Sequence, residues 1–472
     1  MPVLATVMLL IWPIVVMVLF SRMDKPRAMI WSVLAGYLLL PQLVMIDLPA
    51  IPGLGKSEIP AMAALAMLFF TRDRNPFPKP PPMGALVVAL LAINIVTPIF
   101  TAMTNPDPIA EGITYRPALS LSEGIADGIL AFCGMIPFLL GYRLLWDAKG
   151  ALLLMRALVA GILAYSVLMV IEVRFSPQMN VWVYGFFQHD FIQTIRYGGY
   201  RPIVFLQHPL WVALLTMSAF ISAVALARAM PERRNILIAL YLALVLFICK
   251  SAGALMAAAM AVPLILTGRP RLMVTFSAVL GILVFAYPIM RSASWMPLQE
   301  IVDMAMSASP ERGRSLEFRL MNEDVLLKRA MERPLFGWGG WGRPLFLDPH
   351  SGRLASIPDG QWIVWIGLRG VIGYGAQFLM LLLPILAMWR ALPGRKSHMD
   401  HTEAMALGCV TLILALNMLD LIPNATLTPV TWLVAGAVLG NARRLRHGVS
   451  VPGDEAKPAA ILAKKAGFQT VL

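Results

Sequence analysis

Two polar segments, 173–204 and 291–361, interrupt an apolar chain, and both are rich in arginine. The first carries Arg174, Arg196 and Arg201, and the second Arg312, Arg314, Arg319, Arg329, Arg333, Arg343 and Arg353. A guanidinium keeps its charge and presents a planar fork that takes phosphate oxygens two at a time, a geometry an ammonium lacks. At a membrane surface the ligand class that suits this fork is a diphosphate. Arg201 stands in "YGGYRPIVFLQHPLWVALL", just ahead of an apolar run, and Arg314 and Arg319 stand in "ERGRSLEFRLMNEDVLLKRAMERPLFGWG". Arg369 falls two turns or more inside the apolar run that follows "DGQW". A charge at that depth is costly and marks a functional position by default. Taken singly, each arginine also reads as solvated loop charge or as a contact with anionic headgroups, and Arg369 as a side chain snorkelling to the interface.

Titratable groups that could serve as a base or a strong hydrogen-bond acceptor stand in or near the same segments. Asp359, just before the run that holds Arg369, is the first candidate and His208 the second, with Glu317 and Asp348 behind them. His208 also reads as a histidine satisfied at a helix start. Trp338 and Trp341 in "ERPLFGWGGWGR" offer flat amphipathic faces, suited to a sugar ring or to anchoring at a membrane interface. The chain has no P-loop, no dinucleotide fingerprint and no DxD pair in these segments.

Membrane spans must position these residues. Of 472 residues, 58% are hydrophobic and 14% charged, and the mean hydropathy is +0.73, leaving too little polar surface for a water-soluble fold of this length. Apolar runs predict spans near 2–20, 28–48, 56–70, 84–103, 124–145, 150–172, 205–227, 235–250, 252–268, 271–290, 362–389, 402–422 and 425–441. The expected fold is an all-α polytopic membrane protein of 12–13 transmembrane helices, because only helices satisfy their own backbone in lipid over such lengths. It carries a large external helical loop near 291–361.

Basic residues fall in alternate loops: Arg22, Lys25 and Arg27; Arg72, Arg74 and Lys79; Arg143 and Lys149; Arg228, Arg233 and Arg234; Arg269 and Arg271; Arg390, Arg395 and Lys396; Arg443, Arg444 and Arg446. These loops are expected in the cytoplasm, which puts 173–204 and 291–361 outside. The net charge of +13 comes from these patches, not from a nucleic-acid-binding face. The expected organisation is one membrane domain over 1–441, its two external segments forming the site, and a basic, flexible cytoplasmic tail over 442–472. The first apolar run lacks a preceding basic region and a cleavage site, so it is expected to be retained as a span. Cys133, Cys249 and Cys409 each lie in an apolar run, as buried inert thiols do. Leu316–Arg333 reads as an amphipathic helix with Phe318, Leu320, Val325, Leu326, Leu327 and Met331 on its apolar side, stopped by Pro334.

Four pieces of this pattern resemble the bacterial O-antigen ligase and polysaccharide polymerase superfamily over roughly residues 190–440. They are "RPIVFLQHPLW" (Arg201 to Trp211), "KSAGALMAAAMAV" (Lys250 to Val262), the stretch from Arg319 to Gly342 that ends in "ERPLFGWGGWG", and "DGQWIVWIGLRGVIG" (Asp359 to Gly373). Where ligases usually carry His at the first position of the last motif, this chain has Asp359, and His350-Ser351 lies nine residues earlier. The resemblance implies a glycosyltransferase of the bacterial inner membrane acting on its periplasmic side, without cofactor or metal. The donor would be an oligosaccharide linked to undecaprenyl diphosphate, and the partners the lipid bilayer and other polysaccharide assembly proteins. In that frame Arg201, Arg319, Arg314 and Arg369 bind diphosphate, Asp359 and His208 are catalytic, and Trp338 and Trp341 contact sugar. Polymerisation of an exopolysaccharide, capsule or O-antigen stands first, favoured by Asp359 in place of His. Ligase-type transfer of finished glycan to a lipid or protein acceptor is an alternative, and a transporter or flippase is an alternative of another class.

Overall fold

Long apolar runs with few charges close their own hydrogen bonds as helices. The computed structural model describes residues 3–48, 51–71, 79–392 and 399–449. The expected tail beyond 449 and the basic residues Arg72, Arg74, Arg395 and Lys396 lie outside the described residues. The helices in chain order are α1 (Val3–Arg22), α2 (Lys25–Leu39), α3 (Ile59–Phe70), α4 (Ala85–Met103), α5 (Leu121–Leu144), α6 (Ala148–Phe175), α7 (Met179–Tyr184) and α8 (Pro209–Ala229). They continue with α9 (Arg233–Ile248), α10 (Ala252–Leu266), α11 (Pro270–Ser292), α12 (Leu298–Ala308), α13 (Pro310–Met331), α14 (Gln361–Ala391), α15 (His401–Asp420) and α16 (Pro429–His447). Sheet among the described residues is confined to three short antiparallel hairpins, one of them Ile195–Arg196 with Gly199–Tyr200.

The protein is an all-α polytopic membrane protein. Among the described residues eight helices are long and apolar enough to cross a bilayer: α1, α4, α5, α6, α8, α11, α14 and α15. A helix stands at each of the thirteen expected spans, but α2, α3, α9 and α10 are short, and α16 ends in the polar sequence ARRLRH. The expected span 28–48 stops at Leu39 because Pro41 disfavours helical backbone in the residue before it.

Hydrogen bonds knit the loops into two groups. At one end Lys25 Nζ donates to the Thr71 carbonyl (2.8 Å), Arg228 Nε to Leu266 (3.2 Å), Arg271 Nη1 to Leu392 (2.8 Å) and Arg443 Nε to Pro82 (2.9 Å). At the other, Lys56 Nζ donates to the Phe205 carbonyl (2.8 Å) and Asn105 Nδ2 to Gly337 (2.9 Å). The alternation of basic and bare loops along the sequence is therefore an alternation between a basic end and a second end, which carries both arginine-rich segments. The turn between α9 and α10 lies below that second end. Its Cys249 Sγ contacts Thr216 Oγ1 at 3.9 Å, seven residues or about 10 Å down α8, and the segment before α8 descends to meet it.

The stretch "ERPLFGWGGWGR" solves a backbone problem inside α14. Gly370 is non-helical (φ 65°, ψ −171°), which opens two rungs of the α14 ladder, Gly367 to Val371 and Leu368 to Ile372. Residues 334–339 insert there. Trp338 and Gly339 N–H donate to the Gly367 and Leu368 carbonyls (2.8 and 2.9 Å), while Val371 and Ile372 N–H donate to the Pro334 and Leu335 carbonyls (2.8 and 3.3 Å). Two helical bonds become four bonds between segments, so the break leaves none of these groups orphaned. Thr101 Oγ1 holds the Phe336 carbonyl from α4 (2.6 Å). Backbones this close need glycine on both sides. A Cβ on Gly337 would come within 2.6 Å of the Arg369 and Gly370 nitrogens, and one on Gly370 would overlap the Leu335 carbonyl. Gly370→Ala is therefore expected to cost about 3 kcal/mol, the sum of left-handed strain and overpacking. Gly375→Ala, where a Cβ meets nothing within 4 Å, should be neutral or stabilising. Survival of monodisperse protein after heating in detergent compares the two.

The amphipathic helix is present as α13, but its inward side differs from expectation. Leu326 and Ala330 are buried with Glu323, whereas Phe318 and Val325 face outward. Glu323 accepts from Tyr287 Oη (3.1 Å) and Trp362 Nε1 (3.3 Å) and lies 3.6 Å from Arg291 Nε. A buried ion pair with hydroxyl and indole partners, not an apolar stripe alone, seats α13 on α11 and α14. Its hydrophobic pattern therefore pointed to the wrong centre of the buried face.

Candidate functional site

The segment 201–208 is an elbow whose backbone is held from four sides. Glu172, fully buried near the end of α6, accepts the N–H groups of Ile203 (2.8 Å) and Val204 (2.7 Å) through one oxygen and that of Met179 (3.0 Å) through the other. Tyr165 Oη accepts the Phe205 N–H (3.0 Å). Gln188 Nε2 donates to the Val204 and Leu206 carbonyls, both at 2.9 Å, and Lys56 Nζ to that of Phe205. Burial pushes the Lys56 ammonium down to about 7. These contacts hold Val204 at φ 52°, a conformation that a β-branched residue adopts only when its surroundings impose it.

The elbow presents Arg201 at its start and His208 at its end. Arg201 is 3% exposed. Its Nε donates to the Cys249 carbonyl of the α9–α10 turn (3.3 Å), and its Nη2 is buried without a partner. Burial lowers this guanidinium to about 10, so it stays charged at neutral pH. His208 caps α8: its Nδ1 accepts the Leu210 N–H (3.0 Å), which leaves the ring proton on Nε2. The ring packs edge-on against His189 at 4.7 Å. Burial, then the charges of His189, Arg201 and Arg319, push His208 down to about 3. His208 is therefore a neutral hydrogen-bond donor at Nε2, not the base the sequence suggested.

That depression has a measurable consequence. Between the ordinary histidine value of 6.5 and about 3, the unfolded chain binds a proton at His208 that the folded protein does not, so stability falls as pH drops through this window. His208→Asn keeps a good helix cap and removes the titration. The wild type is expected to lose heat resistance more steeply than the variant from pH 6.5 downward, and parallel curves would refute the assignment.

Arg319 comes to the same place from α13. Its Nε pairs with Asp359 Oδ2 at 3.2 Å, both side chains being about one-third exposed. Asp359 is fixed on either side: the Ile357 N–H donates to Asn322 Oδ1 of α13 (2.9 Å), and the Gln361 N–H to the Leu421 carbonyl (2.9 Å). Arg319 is thus paired with Asp359, and its charge and that of Arg201 both act on His208.

The remaining expected site residues lie elsewhere. Arg314 is exposed, and five residues of helix rotate it about 140° from Arg319, so the two do not share a face. Arg369 faces α4 and α5: its Nη1 reaches towards the Asn94 carbonyl (3.5 Å), its guanidinium lies 4.8 Å from the Trp365 ring, and Asp127 is its charge partner. Trp338 is 6% exposed, with the Arg329 and Arg333 guanidiniums 3.9 and 4.6 Å from its ring, so it leaves no open face for a sugar. Trp341 is 65% exposed, with its Nε1 held by Glu123 of α5 (2.8 Å). Arg343 is fully buried and donates to the carbonyls of Trp338 (3.1 Å), Pro117 (2.6 Å) and Asp107 (3.1 Å) and to Asn105 Oδ1 (3.3 Å). It is a structural cross-link. Asp348 caps its own turn through the His350 and Ser351 N–H groups (3.0 and 2.6 Å), and Glu317 is exposed.

Sequence reasoning missed Glu172, Lys56, Gln188 and His189. The signals were present as lone polar residues at the ends of apolar runs, Lys56 in "GLGKSEIP" and His189 in "FFQHDF", but nothing local says that they meet the elbow. Among the described residues no group of three His, Cys, Asp or Glu side chains is placed to hold a metal ion. No protein-family model matches the chain, and a search of curated proteins finds no match.

Proposed function

We propose that the protein is a glycosyltransferase that polymerises a bacterial surface polysaccharide at the periplasmic face of the inner membrane. Its donor is a glycan on undecaprenyl diphosphate, and its acceptor is a sugar hydroxyl. The observation that carries this reading is the buried, unpartnered Nη2 of Arg201, in a group where His208 feels both Arg201 and Arg319. An orphaned charged donor at a membrane surface suits an anionic oxygen that arrives with substrate.

In the proposed reaction the acceptor oxygen bonds to the anomeric carbon while the bond from that carbon to the diphosphate oxygen breaks. The diphosphate leaves with the electron pair. Arg201, Arg319 and the Nε2–H of His208 stabilise the charge it gains. Asp359, oriented by Arg319, takes the hydroxyl proton on its other oxygen. A reconstituted assay with a lipid-linked repeat unit tests this. A ladder of products is expected, a single transfer to an unrelated acceptor would support the ligase reading, and no product with correctly folded protein would refute both.

The break in α14, with Arg369 and Asp127 beside it, favours a second reading. Transporters place charges on interrupted spans. Movement of an intact lipid-linked glycan across vesicles, without chain growth, would support that reading.

A further inference from the structure

We infer that the groove between α6 and α9, at the basic end of the bundle, binds an anionic glycerophospholipid from the adjoining leaflet. The groove has a volume of about 450 Å³ and is lined by Leu163 of α6 and by Arg233, Arg234, Leu237, Ile238 and Tyr241 of α9. A hydroxyl contact, Ser166 Oγ to Tyr241 Oη at 2.9 Å, joins the two helices beside it. The lining is almost wholly apolar, and Arg233 and Arg234 border it at the end near the α8–α9 turn. Arg233 and Arg234 are exposed there. Arg156 of α6, also exposed, reaches the Met230 sulfur of that turn at 4.0 Å. Two guanidiniums, those of Arg233 and Arg234, thus stand at the mouth, and a third, that of Arg156, reaches the adjoining turn, which also carries the carboxylate of Glu232.

Charge complementarity identifies the occupant. Guanidiniums at the mouth take phosphate oxygens, and Leu163, Leu237, Ile238 and the Tyr241 ring provide a wall for an acyl chain. A free phosphate ion would use the mouth and leave the wall bare, and a zwitterionic lipid would bring its own cation to the arginines. The site is at the opposite end of the bundle from Arg201 and Arg319 and does not depend on the reaction proposed for them.

The test uses the full chain purified in a neutral detergent. Native mass spectrometry measures retention of phosphatidylglycerol, phosphatidylcholine and inorganic phosphate, each added alone. Retention of phosphatidylglycerol above the other two is expected, with release as the ionic strength is raised. The Arg233→Gln/Arg234→Gln double variant should weaken that retention about 25-fold, roughly fivefold for each charge removed near the surface. Arg390→Gln, at another exposed position of the basic end, should leave it unchanged. Equal retention of phosphatidylglycerol and phosphatidylcholine overturns the proposal. So does a double variant that holds phosphatidylglycerol as tightly as the wild type, or an equal loss in Arg390→Gln. The salt response of the wild type decides the matter if the double variant fails to fold.

Discussion

Glu172→Leu is expected to yield a chain about 3–6 kcal/mol less stable than the wild type, with the elbow 201–208 released. The carboxylate accepts three backbone N–H groups, from Met179, Ile203 and Val204, at a fully buried position. Each donor left without a partner costs about 1–3 kcal/mol, and removing the buried charge offsets part of the sum. Val204 is held in its left-handed conformation by these contacts, so it should relax to extended backbone once they go. The relaxation would carry Arg201 away from the α9–α10 turn. Glu172→Gln keeps one acceptor oxygen but turns an NH2 group towards N–H donors, and it should fall between the leucine variant and the wild type. Heat resistance in detergent reads the stability. A leucine variant as robust as the wild type would show that the elbow is fixed by other means.

Arg319→Ala carries the largest expected effect on activity: a loss of about a hundredfold to a thousandfold in turnover with little change in heat resistance. The size is that of one well-placed charged donor removed from a developing negative charge. The small stability effect follows from exposure, since the Arg319–Asp359 pair is partly solvated and such pairs contribute little to folding. Arg319→Lys should not restore activity, because an ammonium cannot hold Asp359 and a phosphate oxygen through one planar fork. Combining Arg319→Ala with Asp359→Asn should lose far less than the sum of the single losses, as residues acting as a unit do. Single losses that add would separate Asp359 from Arg319 in function. A fully active Arg319→Ala protein would remove the basis for the proposed transfer.

Helix placement was legible in the sequence because apolar runs and basic patches have one physical cause, the bilayer. Each expected span meets a helix, and the basic loops gather at one end. The site was legible only in part. Arg201, His208 and Asp359 could be chosen because each stands at the edge of an apolar run, where charge is unusual, and Arg319 because it lies in the amphipathic stretch Leu316–Arg333. Composition could not separate Arg201 and Arg319 from Arg343, which stands in the same polar segment as Arg319 yet donates to backbone carbonyls. Trp338 and Trp341, three residues apart, read alike in sequence but differ completely in exposure. Helical phase did contain unused information: the five-residue spacing of Arg314 and Arg319 already argues against a shared face. The elbow could not be foreseen, since Lys56 reaches it across 149 residues of chain, and nothing local says that Glu172 and Gln188, 31 and 16 residues before their nearest partners, turn back onto it.

The mated break between 334–339 and α14 bears on biogenesis. While α14 is still alone in lipid, its cheapest state is an uninterrupted rod, because Gly367 and Leu368 can then bond to Val371 and Ile372 within the same segment. The bent form becomes affordable only when the preceding stretch arrives with its own N–H and carbonyl groups. The membrane insertion machinery must therefore deliver a straight helix that buckles later, after α13 and the stretch behind it have reached the opposite surface. Maturation of this protein would then end with a late docking event at Gly370, not with the crossing of its last hydrophobic segment.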